Sequence, residues 1–207
     1  MPYNLDTMSK QNNGPVSITS ILIPINALKS ETVDAIRNAT IVATVNKAAE
    51  LWGEGQALTV RDLNGTDMSY TNNIMTETSD AVANAWNVMN TCGGGAAFTV
   101  NNATVIGIYG IMLGCAWGTN DIMPITGIRI DVGGSRHAQW NVQTLDQYAL
   151  TTSASPVSFN GGVTRSPVIV AEDITVTMYE YTSDASEVYF PVWLGVAVEK
   201  QGVTLKP

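Results

Sequence analysis

Polar and apolar positions alternate most regularly near the C-terminus. From Val188 to Val198 every second residue is apolar: Val188, Phe190, Val192, Leu194, Val196 and Val198. Upstream, Ile174, Val176 and Met178 alternate with Thr175, Thr177 and Tyr179, and Thr182-Ser183-Asp184-Ala185-Ser186 separates the two runs. Successive side chains of a strand point to opposite faces, so period two on both sides of a polar turn predicts an antiparallel hairpin with one buried face built from these apolar positions.

The rest of the chain divides by the same criteria. Residues 1–15 are polar and end in Asn12-Asn13-Gly14-Pro15, which predicts an N-terminal arm ahead of one domain over 16–207. Val16 to Ile25 reads as a strand whose apolar parity changes near Ser20, a bulge, and whose Pro24 suits an edge or strand end. Ser30, Glu31 and Asp34 open a helix. Ile41, Val45, Ala48 and Trp52 keep helical spacing, yet the β-branched run Thr40 to Val45 favours a strand over 39–46, and the strand is the expectation. A short strand over 56–63 leads into Asn64-Gly65, a tight-turn pair. Thr78 to Asn90 reads as a second helix with Val82, Trp86 and Met89 on one face, stopped by Cys92-Gly93-Gly94-Gly95. The most apolar run, Ala103 to Trp117, follows a short strand at 98–100. A membrane span needs about 20 residues, so buried strands with bulges at Gly107, Gly110 and Gly114 are expected there. Ile128-Arg129-Ile130-Asp131-Val132 and Gln139-Trp140-Asn141-Val142 alternate as strands, and 151–167 reads as a long loop with one short strand at 157–159. Roughly eight strands with one or two short helical insertions predict a mainly β protein, a single eight-stranded jelly roll or β-sandwich.

Composition alters this picture in one respect. Charged residues make up 14% of the 207, against about 25% in an ordinary globular domain, and Asn, Thr, Ser and Gly take their place. Such a surface keeps its hydrogen-bonding capacity at any pH and is cheap to bury between subunits. The net charge of −8, with ten scattered basic residues, argues against direct contact with nucleic acid. The N-terminus has no basic segment followed by an apolar one, so synthesis in a cytoplasm without classical export is expected.

Candidate chemistry is sparse. Cys92 and Cys115 are too far apart in sequence for a CxxC pair; either one disulfide or two buried thiols fits, and buried thiols are expected. His137, the one histidine, follows a double-glycine turn with no nucleophile context, and reads as a surface residue. Asp62-Leu63-Asn64-Gly65-Thr66-Asp67 is an incomplete calcium-loop pattern, more simply a turn. Asp121, Asp131, Asp146, Glu172 and Asp173 are the carboxylates from which a glycosidase pair would be drawn. Five tryptophans and seven tyrosines offer stacking surface for sugars, although Trp140 and Trp193 lie in strands, where core or interface packing is commoner. Asn38, Asn64 and Asn102 each begin an N-glycosylation triplet, a chance-level match in an Asn- and Thr-rich chain. No catalytic, cofactor-binding or metal-binding residue is assigned, and no enzyme activity is expected.

A polar arm, about eight strands with helical insertions, and the terminal segments Asp173 to Tyr179 and Tyr189 to Val198 together resemble the single jelly-roll major capsid proteins of tailless icosahedral DNA viruses, of the archaeal and thermophilic bacterial type. The resemblance rests on strand order and texture over most of the chain. It implies a structural virion protein, made in the host cytoplasm, that self-assembles into a shell through arm, loop and sheet-edge contacts. The implied partners are copies of itself and other virion proteins, with an internal membrane or a basic protein standing between an acidic subunit and the genome. The rival expectations are a carbohydrate-binding β-sandwich module and a carboxylate-dependent hydrolase.

Overall fold

The computed structural model describes residues 21–71, 75–79, 82–115, 125–142, 159–183, 185–186 and 188–202. Among them lie two antiparallel sheets packed face to face and one long helix, α1 (Ser30–Trp52), on the outer face of the first sheet. The first sheet contains β1 (Ile23–Pro24), β2 (Leu58–Asp62), β3 (Glu77–Thr78), β6 (Thr104–Cys115), β9 (Phe159–Val170) and β11 (Val188–Lys200). The second contains β4 (Trp86–Val88), β5 (Phe98–Thr99), β7 (Ile125–Val132), β8 (Ser135–Asn141) and β10 (Thr175–Thr182). The arm over 1–15 and the predicted strand up to Ser20 lie outside the described residues.

The pairing is nested. β2 and β3 pair with the last strand, β11; β4 and β5 pair with β10; β6 pairs with β9; and β7 pairs with β8. This is the pattern left when one antiparallel ribbon is wrapped into two sheets, and it is the jelly roll. It also corrects the predicted terminal hairpin. β10 and β11 lie in opposite sheets, and the turn between them crosses from one sheet to the other. Alternation alone cannot tell a partner in the same sheet from one facing it across the core, because both have one buried face.

The buried face of β11 is corrected too. Tyr189, Trp193 and Ala197 point into the shared core, while Leu194 and Val198 pack against α1 and Val188 and Val192 are exposed. Both faces of this strand carry apolar residues, so the even-numbered set marked only the outer one.

Alpha1 runs unbroken through the predicted strand at 39–46. Ile36, Thr40, Thr44 and Ala48 recur every four residues and are buried against the sheet. Thr40 and Thr44 return their hydroxyls to the carbonyls of Ile36 and Thr40, at 2.9 and 2.7 Å, so neither is an unsatisfied polar group. Gly107 of β6 lies beneath them, and a Cβ there would collide with both threonines. Close packing between small residues outweighs the β-branched preference. The helix ends at Gly53, with φ near 90°.

The second predicted helix, over 78–90, is absent among the described residues, which leave out 80–81. Its ends are claimed by sheet edges: Thr78 pairs with Val188, and Trp86 to Val88 pair with Tyr181 to Tyr179. Much of the predicted loop over 151–167 is also strand, since β9 begins at Phe159; residues 151–158 lie outside the described set. Its register against β6 jumps from Ile108–Val168 to Gly110–Val163, which lets Ser166-Pro167 leave the ladder without ending the strand. Thr104–Cys115 of the apolar run form β6, as expected, with an irregularity at Tyr109 opposite β11 as well, while residues 116–117 lie outside the described set. No helix among the described residues is long and apolar enough to cross a membrane. Pro24 sits on the edge strand β1, as its missing N–H requires.

Candidate assembly surfaces and the buried polar core

The α1 side of the molecule is incompletely covered. Alpha1 and the turn before it shield Tyr109, Val163 and Leu194 at one end and Val105 and Val198 at the other. Beyond the helix N-terminus Val188 and Val192 remain 37% exposed, with Phe190 between them on the same face only part-buried. Val60 on the edge strand β2 is 41% exposed, and Val42 and Leu51 of α1 are 59% and 43% exposed. The edge itself is pinned by charge. Arg61 holds both oxygens of Asp67, at 2.7 and 2.6 Å, and Oε1 of Glu199 at 2.6 Å, while Arg37 of α1 meets Asp62 at 2.6 Å. At the other end of the helix, Glu172 accepts from the Trp52 indole at 2.7 Å and from the Ala103 amide at 2.5 Å.

A second polar group lies inside the sandwich. Glu77 is fully buried and accepts the amides of Thr91 and Cys92, both at 2.8 Å. Burial raises its carboxyl pKa, opposed by those amides. Glu180 is also buried, and the Tyr189 hydroxyl donates to it across the core, joining β11 to β10. Burial, and then the Glu180 charge, push the Tyr189 hydroxyl well above the ordinary tyrosine range. Tyr70 stands close to Cys92, Glu77 and Trp193, and burial raises its pKa in the same direction. Sequence spacing hides Glu77, which directly precedes the segment whose pattern predicts a helix. Glu180 was legible: it continues the inward parity of Val176 and Met178.

The sequence candidates separate accordingly. Trp140 and Trp193 are core residues, 6.5 Å apart between ring centroids. Cys92 is a buried free thiol whose pKa is raised by burial. His137 is exposed on β8. The Asp62–Asp67 segment is a turn, in which Asn64 and Asp67 cap each other reciprocally and Arg61 occupies the Asp67 carboxylate. Asp131 pairs with Arg129 at 3.0 Å, Glu172 is bonded to Trp52 and Ala103, and Asp173 lies exposed in a left-handed turn. Asp121 and Asp146 lie outside the described residues. Among the described residues, the sequence candidates Asp131, Glu172 and Asp173 do not form a pair of free carboxylates. Asn38 and Asn102 are exposed, while Asn64 is taken up in the cap.

No protein-family model and no curated protein sequence matches the chain. Among solved structures, the CBM36-1 domain of a multidomain xylanase from the hindgut metagenome of Trinervitermes trinervoides matches over 71% of this chain and 100% of its own, at 11% identity and a TM-score of 0.26. A likeness at that level carries no functional argument.

Proposed function

We propose that the protein is a structural subunit that self-assembles into a virion shell. The observation that supports this best is the nested jelly-roll pairing combined with apolar residues left on the outer side of the first sheet, Val188, Phe190 and Val192 of β11, with Val60 of the edge strand β2 exposed farther along, opposite Val198. Jelly rolls serve as shell proteins, lectins and enzymes alike, so the fold alone does not choose among these uses. The surface does. An apolar strip next to a strand edge is costly for a protein that stays alone in water, and is withdrawn from water when copies pack side by side. The low charge of the chain reduces the desolvation penalty of such contacts. On this reading the partners are other copies of this chain and other virion proteins, and an acidic subunit calls for a membrane or a basic protein between the shell and the genome.

The test is the solution mass of the purified protein by light scattering, over a range of concentration and from acid to neutral pH. Trimers, hexamers or larger closed particles are the expected result. A monomer under every condition overturns the reading.

A further inference from the structure

The outer face of the second sheet is built differently from that of the first. Residues directly opposite in register form rows across it. One row runs Trp86, Tyr181, Gly127, Asn141 over β4, β10, β7 and β8; the next runs Val88, Tyr179, Arg129, Gln139. Opposed residues share a face, and the core-facing set is the alternate one: Met178, Ile128, Ile130, Ala138 and Trp140. The rows therefore point outward.

Gly127 shapes this face. A Cβ there would lie 2.9 Å from the far edge of the Trp86 indole and 3.2 Å from Tyr181 Cβ, so the indole crosses β10 and lies over the gap that the glycine leaves on β7. Trp86 and Tyr181 meet edge to face at 5.4 Å. In the next row the Arg129 guanidinium sits 3.7 Å from the centroid of the Tyr179 ring and 5.6 Å from that of Trp86, and is fixed by Asp131 at 3.0 Å. Gln139 stands exposed beside it. Trp86 and Tyr181 are thus held half-buried against the sheet, beside the exposed Gln139 amide, while the Arg129 guanidinium, itself only 15% exposed, covers the Tyr179 ring.

We propose that this face binds a neutral saccharide chain. A pyranose ring has an apolar C–H face, which lies against an aromatic ring, and a rim of hydroxyls, which donate to and accept from planar amide, guanidinium and carboxylate groups. Rings packed on a sheet lose little freedom when covered. Arg129 and Asp131 cancel each other's charge and Arg136, exposed opposite Asp131, adds a single cation, while the chain as a whole carries −8, so an uncharged partner fits this face better than a phosphate or a uronic acid. The strip proposed for assembly lies on the opposite sheet, so this inference does not depend on that reading. A shell built through the first sheet leaves the second free to touch a glycosylated surface.

The experiment is affinity electrophoresis of the full chain in gels containing mannan, β-1,3-glucan or α-1,4-glucan, with heparin as the charged contrast. At least one neutral polysaccharide is expected to retard the wild type. Trp86→Ala is expected to weaken retardation about tenfold or more, corresponding to the loss of one stacking ring. Gly127→Val, which expels the indole from its seat, is expected to do the same, and the exposed Gln139→Ala, which leaves the fold untouched, to weaken it several-fold. Absence of retardation in all three neutral gels overturns the proposal, as does retardation by heparin alone or retardation that survives all three substitutions. Light scattering on the same samples keeps the outcome separate from assembly.

Discussion

Trp193 and Phe190 are three residues apart on one strand and face opposite sides of it. Trp193 is 2% exposed in the shared core, so Trp193→Ala should cost about 3–5 kcal/mol of unfolding free energy. Phe190 lies part-buried on the outer face, and Phe190→Ala should cost about 1 kcal/mol or less. Urea titration of both variants checks the difference; equal losses would mean that the faces are assigned wrongly. Glu77 makes a prediction about pH. Its folded pKa is raised above the ordinary 4.5, so the folded state holds the proton more tightly than the unfolded chain. Its contribution is then fully present below about pH 4.5 and is lost as pH rises through the folded value. Glu77→Gln removes this titration, and the change in denaturation midpoint between about pH 4 and pH 8 should shrink relative to the wild type. A variant whose midpoint follows pH as the wild type does would show that Glu77 is not the group responsible.

At the scale of elements, the edge strand β2 depends on Arg61. Removing it leaves Asp67 and Glu199, 7% and 4% exposed, as neighbouring carboxylates without a cation. Arg61→Ala should cost about 3 kcal/mol, and loss of edge protection should appear first in amide exchange at Thr59 to Asp62. A loss below about 1 kcal/mol would show that water replaces the arginine. Alpha1 depends instead on the absence of a side chain. Gly107→Val would push into Thr40 and Thr44, and should lift the helix from β6. This is a second, independent way to loosen the same face of the sheet, read as faster amide exchange across Ile36 to Ala48.

For the whole molecule, the exposed pair Val188 and Val192 is the lever on assembly. Val192→Asp places a charge where 37% of the residue is already open to water, so the fold should survive, with an unfolding midpoint within about 0.5 kcal/mol of the wild type. Burying that charge between copies is costly, and the oligomers expected in light scattering should dissociate. An unchanged mass distribution would remove this strip from the contact.

Much of this architecture was legible in the sequence because strand alternation is local: β7, β8 and β10 each show their two faces in their own residues, whereas β11, apolar on both faces, does not show which one turns inward. The sequence also determined that the chain is mainly β, that the glycine-broken apolar run is a bulged buried strand, and that Ser30 opens a helix. Only the tertiary structure decided which strand pairs with which. The same alternation in β10 and β11 serves a hairpin or two opposed sheets equally well, and the choice rests on contacts between residues far apart in the chain. It also decided the state of 39–46, where Gly107, some sixty residues away, makes room for a threonine-faced helix. Neither the crossing of Trp86 over Gly127 nor the meeting of Tyr189 with Glu180 is written in neighbouring residues. Both arise where the wrapped ribbon brings distant strands together, and the surfaces on which the proposed functions rest arise in the same way.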